Sequence, residues 1–343
     1  MRAHPGMTRR SGTRATEFDR AEAYKWASPK VAWLRSLSKR VPREGALYPA
    51  GPWTVLKLLA VQYTADFCLG IMAAPSKTTG RPRQGFGAVV YVDLNAGSGL
   101  VSIRDTRAVV AGTGLIGPGL SVREGRRPFD YHILVEPDQQ RAEALERRVG
   151  TLLPADAFRI IRKGADEATS EVLAEIKARN ANFVLVFDPY GFQEGSEESW
   201  ARILRERSHG DLIATFQTKL AVRHTARSIA PVVGDAILEG TTDDHLTTEE
   251  ALEAFRRSVA RCRQVVQSAR VRAGDTGYFY DVVYATRQSK SLTNDWAAAF
   301  KRVKNRLDAL DGTAIKTMLT IRTLERGIEA WEPETDAKGD LGE

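Results

Sequence analysis

The chain has 343 residues, 43% of them hydrophobic, and a formal net charge of +7, a size that suits one large α/β domain with additions or two modest domains. No run of 18 or more uninterrupted apolar residues occurs, so no membrane span is expected. Cys68 and Cys262 stand apart in apolar surroundings, with no CxxC and no neighbouring His; this argues against a metal site or disulfide framework and suits a reducing cytoplasm.

Residues 1–20 read as a disordered basic arm. Eleven Lys/Arg against four Asp/Glu lie within residues 1–48, a net of +7, whereas residues 325–343 carry two basic and seven acidic residues. A basic arm can neutralise phosphates; an equally simple reading is a solvated tail. Residues 21–80 read as a helical segment, with a helix or two over 22–42 and a longer helix in "WTVLKLLAVQYTADFCLGIMAA" (53–74), where Lys57 and Asp66 mark a packed helix. A polar Gly/Pro-rich loop follows (74–87).

From residue 81 to about 305, apolar runs alternate with helical patterns. Strands are expected at "AVVYVDL" (88–94), "YHILVE" (131–136), "FRIIRK" (158–163), "FVLVFD" (183–188) and "DLIATFQ" (211–217), with helices between them. Such alternation predicts a mostly parallel sheet with helices on both faces. A helical insertion is expected near 228–260. "RQVVQSARVR" and "GYFYDVVYATR" flank the turn "AGDTG" and read as a closing antiparallel hairpin. Residues 306–343 read as a last helix and an acidic tail.

Ligands of such sheets sit beyond the carboxyl ends of the strands, so strand tips are where function is sought. "YVDLNAGSG" runs from a strand into a turn of small residues: Asp93 precedes it, within reach of a cationic group of the cofactor, and Asn95, Ala96, Gly97 and Gly99 let a ligand approach the backbone. Glu136 closes the second strand, where an acid can accept hydrogen bonds from ribose hydroxyls. Asp166, in "RKGADEA", either reaches an adenine amino group or simply charges a helix N-terminus. A rival glycine motif, Gly112, Gly114 and Gly117 in "AVVAGTGLIG", makes a formal GxGxxG with Glu136 nineteen residues further on, which is the pattern of an NAD-binding site. Pro118 and Gly119 follow at once. A helix could begin at Pro118 but is not expected to be running already from Gly114, so "NAGSG" is preferred as the cofactor loop. The fourth tip is "FDPYG", residues 187–191, where an acid, a rigid bend, an aromatic ring and a glycine end a buried strand abruptly.

"DLNAGSG", the acid Glu136 and "DPYG", in that order, resemble a class I S-adenosylmethionine-dependent methyltransferase. More narrowly, residues 51–305 resemble the three-Cys-motif partner protein (TcmP) family. That family is similar in its W-T-x-x-K helix (here Trp53, Thr54 and Lys57), in an insertion before the second strand ("GPG", 117–119), in the DPYG tip, and in a late aromatic strand ending "ATR". The chain differs in having Asn95 and Ser98 in the turn, and "GAD" where the family has GD. The resemblance implies an α/β, Rossmann-like class I methyltransferase fold, a mostly parallel sheet with a C-terminal antiparallel hairpin, N-terminal helices and a helical insertion. It also implies S-adenosylmethionine as cofactor and a three-Cys-motif protein as partner.

The tip itself resembles the (D/N)PP(Y/F) loop of amino-group methyltransferases, and more closely the DPFG of tRNA guanine-N2 dimethyltransferases. An exocyclic base amine is a weak nucleophile because its lone pair is delocalised. Asp188 and the carbonyls at Asp188–Pro189, accepting its two N–H bonds, would favour a tetrahedral nitrogen, and Tyr190 would stack on the unstacked base. The expectation is therefore a methyltransferase acting on an amino group in nucleic acid. The alternative is a partner subunit with degenerate chemistry, in which Asp188 only caps a rigid turn.

Overall fold

The computed structural model describes residues 17–73, 87–191, 195–207, 209–234, 246–274, 276–288 and 295–320. Most of the expected basic arm, nearly all of the polar loop at 74–87 and the acidic tail lie outside these residues. One helix, α1 (Glu17–Lys39), fills the first segment, so the last residues of the expected arm are helical. After a short strand β1 (Tyr48–Ala50) comes α2 (Thr54–Ala73). By length and composition α2 could cross a membrane, yet most of its apolar window is buried within the protein, and it packs in the core.

Five parallel strands follow the expected order with ends shifted by a residue or two: β2 (Ala88–Asp93), β5 (Tyr131–Val135), β6 (Phe158–Ile161), β7 (Ala181–Phe187) and β8 (Gly210–Phe216). Between β2 and β5 lie two short strands, β3 (Leu100–Ile103) and β4 (Val109–Ala111), and a helix, α3 (Thr113–Ser121). The other connections carry α4 (Gln139–Gly150), α5 (Ala165–Ala178) and α6 (Glu197–Glu206). After β8 come a one-turn α7 (Thr218–Ala221), α8 (Ala226–Val233) and α9 (Thr248–Ala260), which occupy the expected helical insertion. The hairpin β9 (Val265–Arg272) and β10 (Phe279–Thr286) then closes the sheet, before α10 (Asp295–Asp308) and α11 (Gly312–Thr320).

The main sheet has seven strands in the order β6-β5-β2-β7-β8-β10-β9. All of its pairs are parallel except β8–β10 and β10–β9. The chain starts in the middle, winds outward to β6, returns through β7, and inserts β10 antiparallel between β8 and β9. β2, β7 and β8 are buried along nearly their whole length because helices cover both faces. In β7, Val184 and Val186 join one core with α1, α2, α3, α10 and α11; Phe183, Leu185 and Phe187 join the other with α5, α6, α8 and α9. The N-terminal helices therefore share a core with the sheet instead of forming a separate unit, and the boundary expected at 305 falls inside α10. A small sheet, β1-β3-β4, stands beside the first strand tip.

One expectation is overturned. α3 already runs from Thr113, with Pro118 inside it. Proline removes one helical hydrogen bond, but this helix is short and Thr113 through Leu120 are buried, so packing overrides propensity. A Cβ on Gly117 would lie 2.4 Å from the Tyr91 ring, and one on Gly119 2.3 Å from Leu37. The glycines of this motif thus serve close packing. The helix follows β4, an edge strand of the small sheet, so the GxGxxG does not stand at the carboxyl end of a main-sheet strand.

Candidate functional site

The tips of β2, β5, β7 and β8 open onto one cavity of about 930 Å³. Its walls include Asn95, Ala96, Gly97 and Gly99 from the first turn, Glu136 after β5, Asp166 at the start of α5, and Asp188, Pro189 and Tyr190 after β7. Nine of the ten residues that the sequence singled out therefore face one space.

The first turn is stitched to both neighbouring strands. The Leu94 amide donates to the Val186 carbonyl and the Ala96 amide to the Val135 carbonyl, at 3.0 and 2.9 Å. Gly97 and Gly99 adopt φ of +60° and +83°, a left-handed backbone that favours glycine. A Cβ at Gly99 would meet Leu145 at 2.9 Å and Leu115 at 3.0 Å, whereas at Gly97 it would meet open space.

Asp93 is the exception. It is fully buried beneath the turn and not part of the cavity wall. Its Oδ1 accepts the Asn95 amide at 3.0 Å, and its Oδ2 is buried without a hydrogen-bond partner. Burial pushes its carboxyl up to about 7; Asn95, Thr113 and the Lys57 ammonium pull the other way, and the charge of Asp188 pushes with burial. The Thr113 hydroxyl is near enough to favour the charged form, though not in good hydrogen-bond geometry.

Glu136 is buried yet reaches the cavity; its Oε1 accepts the Asp138 amide at 3.0 Å and faces the Arg141 guanidinium at 3.5 Å. Asp166 is exposed in the first turn of α5, and its Oδ1 accepts both the amide and the hydroxyl of Ser196, at 2.9 and 2.7 Å. Asp188 pairs with Lys57: Nζ lies 2.6 Å from Oδ2, with both side chains largely buried. The Pro189 carbonyl accepts the Gln217 amide at 3.4 Å, and Gln217 in turn accepts the Tyr278 hydroxyl at 2.6 Å. Tyr190 is 70% exposed, its ring edge-on to Tyr48 at 5.2 Å.

Sequence reasoning missed several wall residues. Trp53 and Tyr278 pack ring against ring at 5.7 Å; Trp53 was visible only as part of the W-T-x-x-K motif, and Tyr278 only through its alternation with Tyr280. Arg148, buried on α4, went unnoticed. Its guanidinium donates to the carbonyls of Pro42, Ala46, Glu44 and, more loosely, Arg43, and to Ser98 of the first turn at 2.6 Å. It thereby ties the segment before β1 to the turn. Arg287 and His209 pair at 2.8 Å; because β10 runs antiparallel, its end lies at the opposite edge of the sheet, away from the cavity.

The strand order, with one antiparallel strand inserted next to the last position and a glycine turn at the first tip, is the Rossmann-like class I methyltransferase fold. The sequence matches no family model and no curated protein. Among solved structures it is similar to an O-methyltransferase from Bacillus cereus in complex with SAH, 9% identical over 80% of this chain and 94% of that one, with a TM-score of 0.35. It is also similar to the human methyltransferase 10 domain containing protein (11% identical, 76% and 98% covered, TM-score 0.38) and to an rRNA methylase from Streptococcus thermophilus (10% identical, 65% and 95% covered, TM-score 0.34). Likenesses this distant carry no argument, and the fold assignment rests on this chain's own strand order.

Proposed function

We propose that the chain is an S-adenosylmethionine-dependent methyltransferase that acts on an amino group of a nucleic-acid base. The observation that carries the reading is that the glycine turn, Glu136 and the Asp188-Pro189-Tyr190 tip open onto one cavity. The residues fit the cofactor. The turn at Gly97 has room where a side chain would stand, and the buried acid Glu136 reaches the cavity, where it would accept from ribose hydroxyls. When bound, the cofactor supplies an electrophilic methyl group, and the protein's share is positioning and electrostatics. Asn95, Ala96, Gly97 and Gly99 would cradle it, supported from below by Asp93. Glu136 would hold the ribose, and the Asp166 oxygen that Ser196 does not use would hold the adenine edge. Asp188 and the Pro189 carbonyl would accept the N–H bonds of the target amine, and Tyr190 would stack on its ring.

A second reading, as a partner subunit of a three-Cys-motif protein, is favoured by one feature. The large apolar residues exposed among the described ones are Leu47 and Tyr190; Tyr190 lines the cavity and touches Tyr48, the neighbour of Leu47 in sequence. Methyl transfer from tritium-labelled cofactor to RNA, DNA or protein, with and without such a partner, separates the two. Transfer to nucleic acid by the chain alone supports the enzyme reading. Cofactor binding without transfer until the partner is added supports the second.

A further inference from the structure

Lys57 is out of place on α2. That helix is otherwise a core element, and its other charged residue, Asp66, is paired with Arg123 at 2.9 Å. Lys57 sits in the first turn, where the helix dipole disfavours a cation. A residue that breaks a local rule without an evident packing gain points to a role in the site. Its ammonium enters the cavity wall and holds Asp188 Oδ2 at 2.6 Å, while Asp188 Oδ1 receives no hydrogen bond from a described residue. Its charge also reaches Asp93 beneath the turn.

We propose that Lys57 is a positioning residue: it fixes one oxygen of Asp188, leaves the other for an acceptor group, and joins Asp93, Lys57 and Asp188 in a row of alternating charge that links the two halves of the cavity. The Asp188 part of this rests on the function proposed above; the charge row does not. The groups facing Asp93 are Tyr91 on its own strand, the Asn95 amide and Thr113 from the elements above it, Lys57 from α2, and Asp188 from the tip of β7. Lys57 favours the ionised Asp93 and Asp188 opposes it, so removing them must move Asp93 in opposite directions. A lysine whose charge did not reach Asp93 would leave that midpoint unmoved when it is replaced.

The test is a carboxyl-carbon NMR titration of the ligand-free full chain, with Asp93→Asn to assign the resonance. The wild type is expected to titrate near 7. Lys57→Met should raise the Asp93 midpoint by about one pH unit, Asp188→Asn should lower it, and Lys57→Arg should leave it near the wild type. Lys57→Gln serves if the methionine variant does not fold. An Asp93 midpoint unmoved by loss of the lysine charge, or moved in the same direction by both variants, overturns the proposal. Because no ligand is present, a wild type that fails to bind S-adenosylmethionine counts against the proposed function and leaves this result standing.

Discussion

Asp93 and Asp188 end adjacent parallel strands, β2 and β7, yet they are opposite kinds of acid. Asp93 is sealed under the glycine turn, holds the Asn95 amide, keeps one oxygen unpartnered and is pushed up to about 7 by burial. Asp188 stands in the cavity wall with a lysine 2.6 Å away. The same side chain thus shapes a loop at one tip and faces a cavity at the next. Burial and a single cation decide which.

The two acids part first in their response to pH. Asp93 is raised in the folded state from 3.8 to about 7, so the folded protein binds its proton more tightly than the unfolded chain does. Its contribution to stability is therefore most favourable below about pH 4 and declines as pH rises through 7, by at most about 4 kcal/mol. Asp211, also buried and raised to about 6, acts with the same sign. Denaturant melts across pH 4–8 should show Asp93→Asn flattening this decline, and Asp188→Asn, which lowers the Asp93 midpoint, flattening it only in part.

Next in size is the clamp on the buried side. Arg148→Ala leaves buried carbonyls, including that of Ser98, without their donor; a loss of about 3 kcal/mol or more is expected in urea unfolding. At the cavity side, Asp188→Ala should cut methyl transfer by about 100-fold or more while cofactor affinity stays within a few-fold, as measured by tritium transfer and calorimetry. Full activity in that variant would remove Asp188 from the chemistry. The smallest effect is expected at Gly99→Ala, which places a side chain at φ +83° against Leu145 and Leu115. It should lower stability by about 1–2 kcal/mol in the same unfolding measurement.

Much of this was legible locally. The alternation of apolar runs and helical patterns located every main-sheet strand, because strands buried on both faces are written as continuous apolar runs. The tip residues were legible because each is a break in such a run. What sequence could not reveal were relations across the fold. Asp188 and Lys57 are separated by 131 positions and meet only when α2 packs on the sheet. Arg148 reads as one more base on an amphipathic helix until its five carbonyls are assembled around it. Pro118 reads as a helix breaker until the tight contacts of Gly117 and Gly119 show what the helix gains by continuing. Asp93 looked like a ligand contact, and only the packed turn shows that it lies one layer below.

The central claim is that the cavity beside the glycine turn is a cofactor site. Calorimetric titration of S-adenosylmethionine into the folded chain, beside Glu136→Ala and Asp93→Ala, tests it most directly. The account predicts saturable binding by the wild type, weakened at least about tenfold in both variants. No binding by the folded wild type, or binding that neither substitution affects, would contradict it.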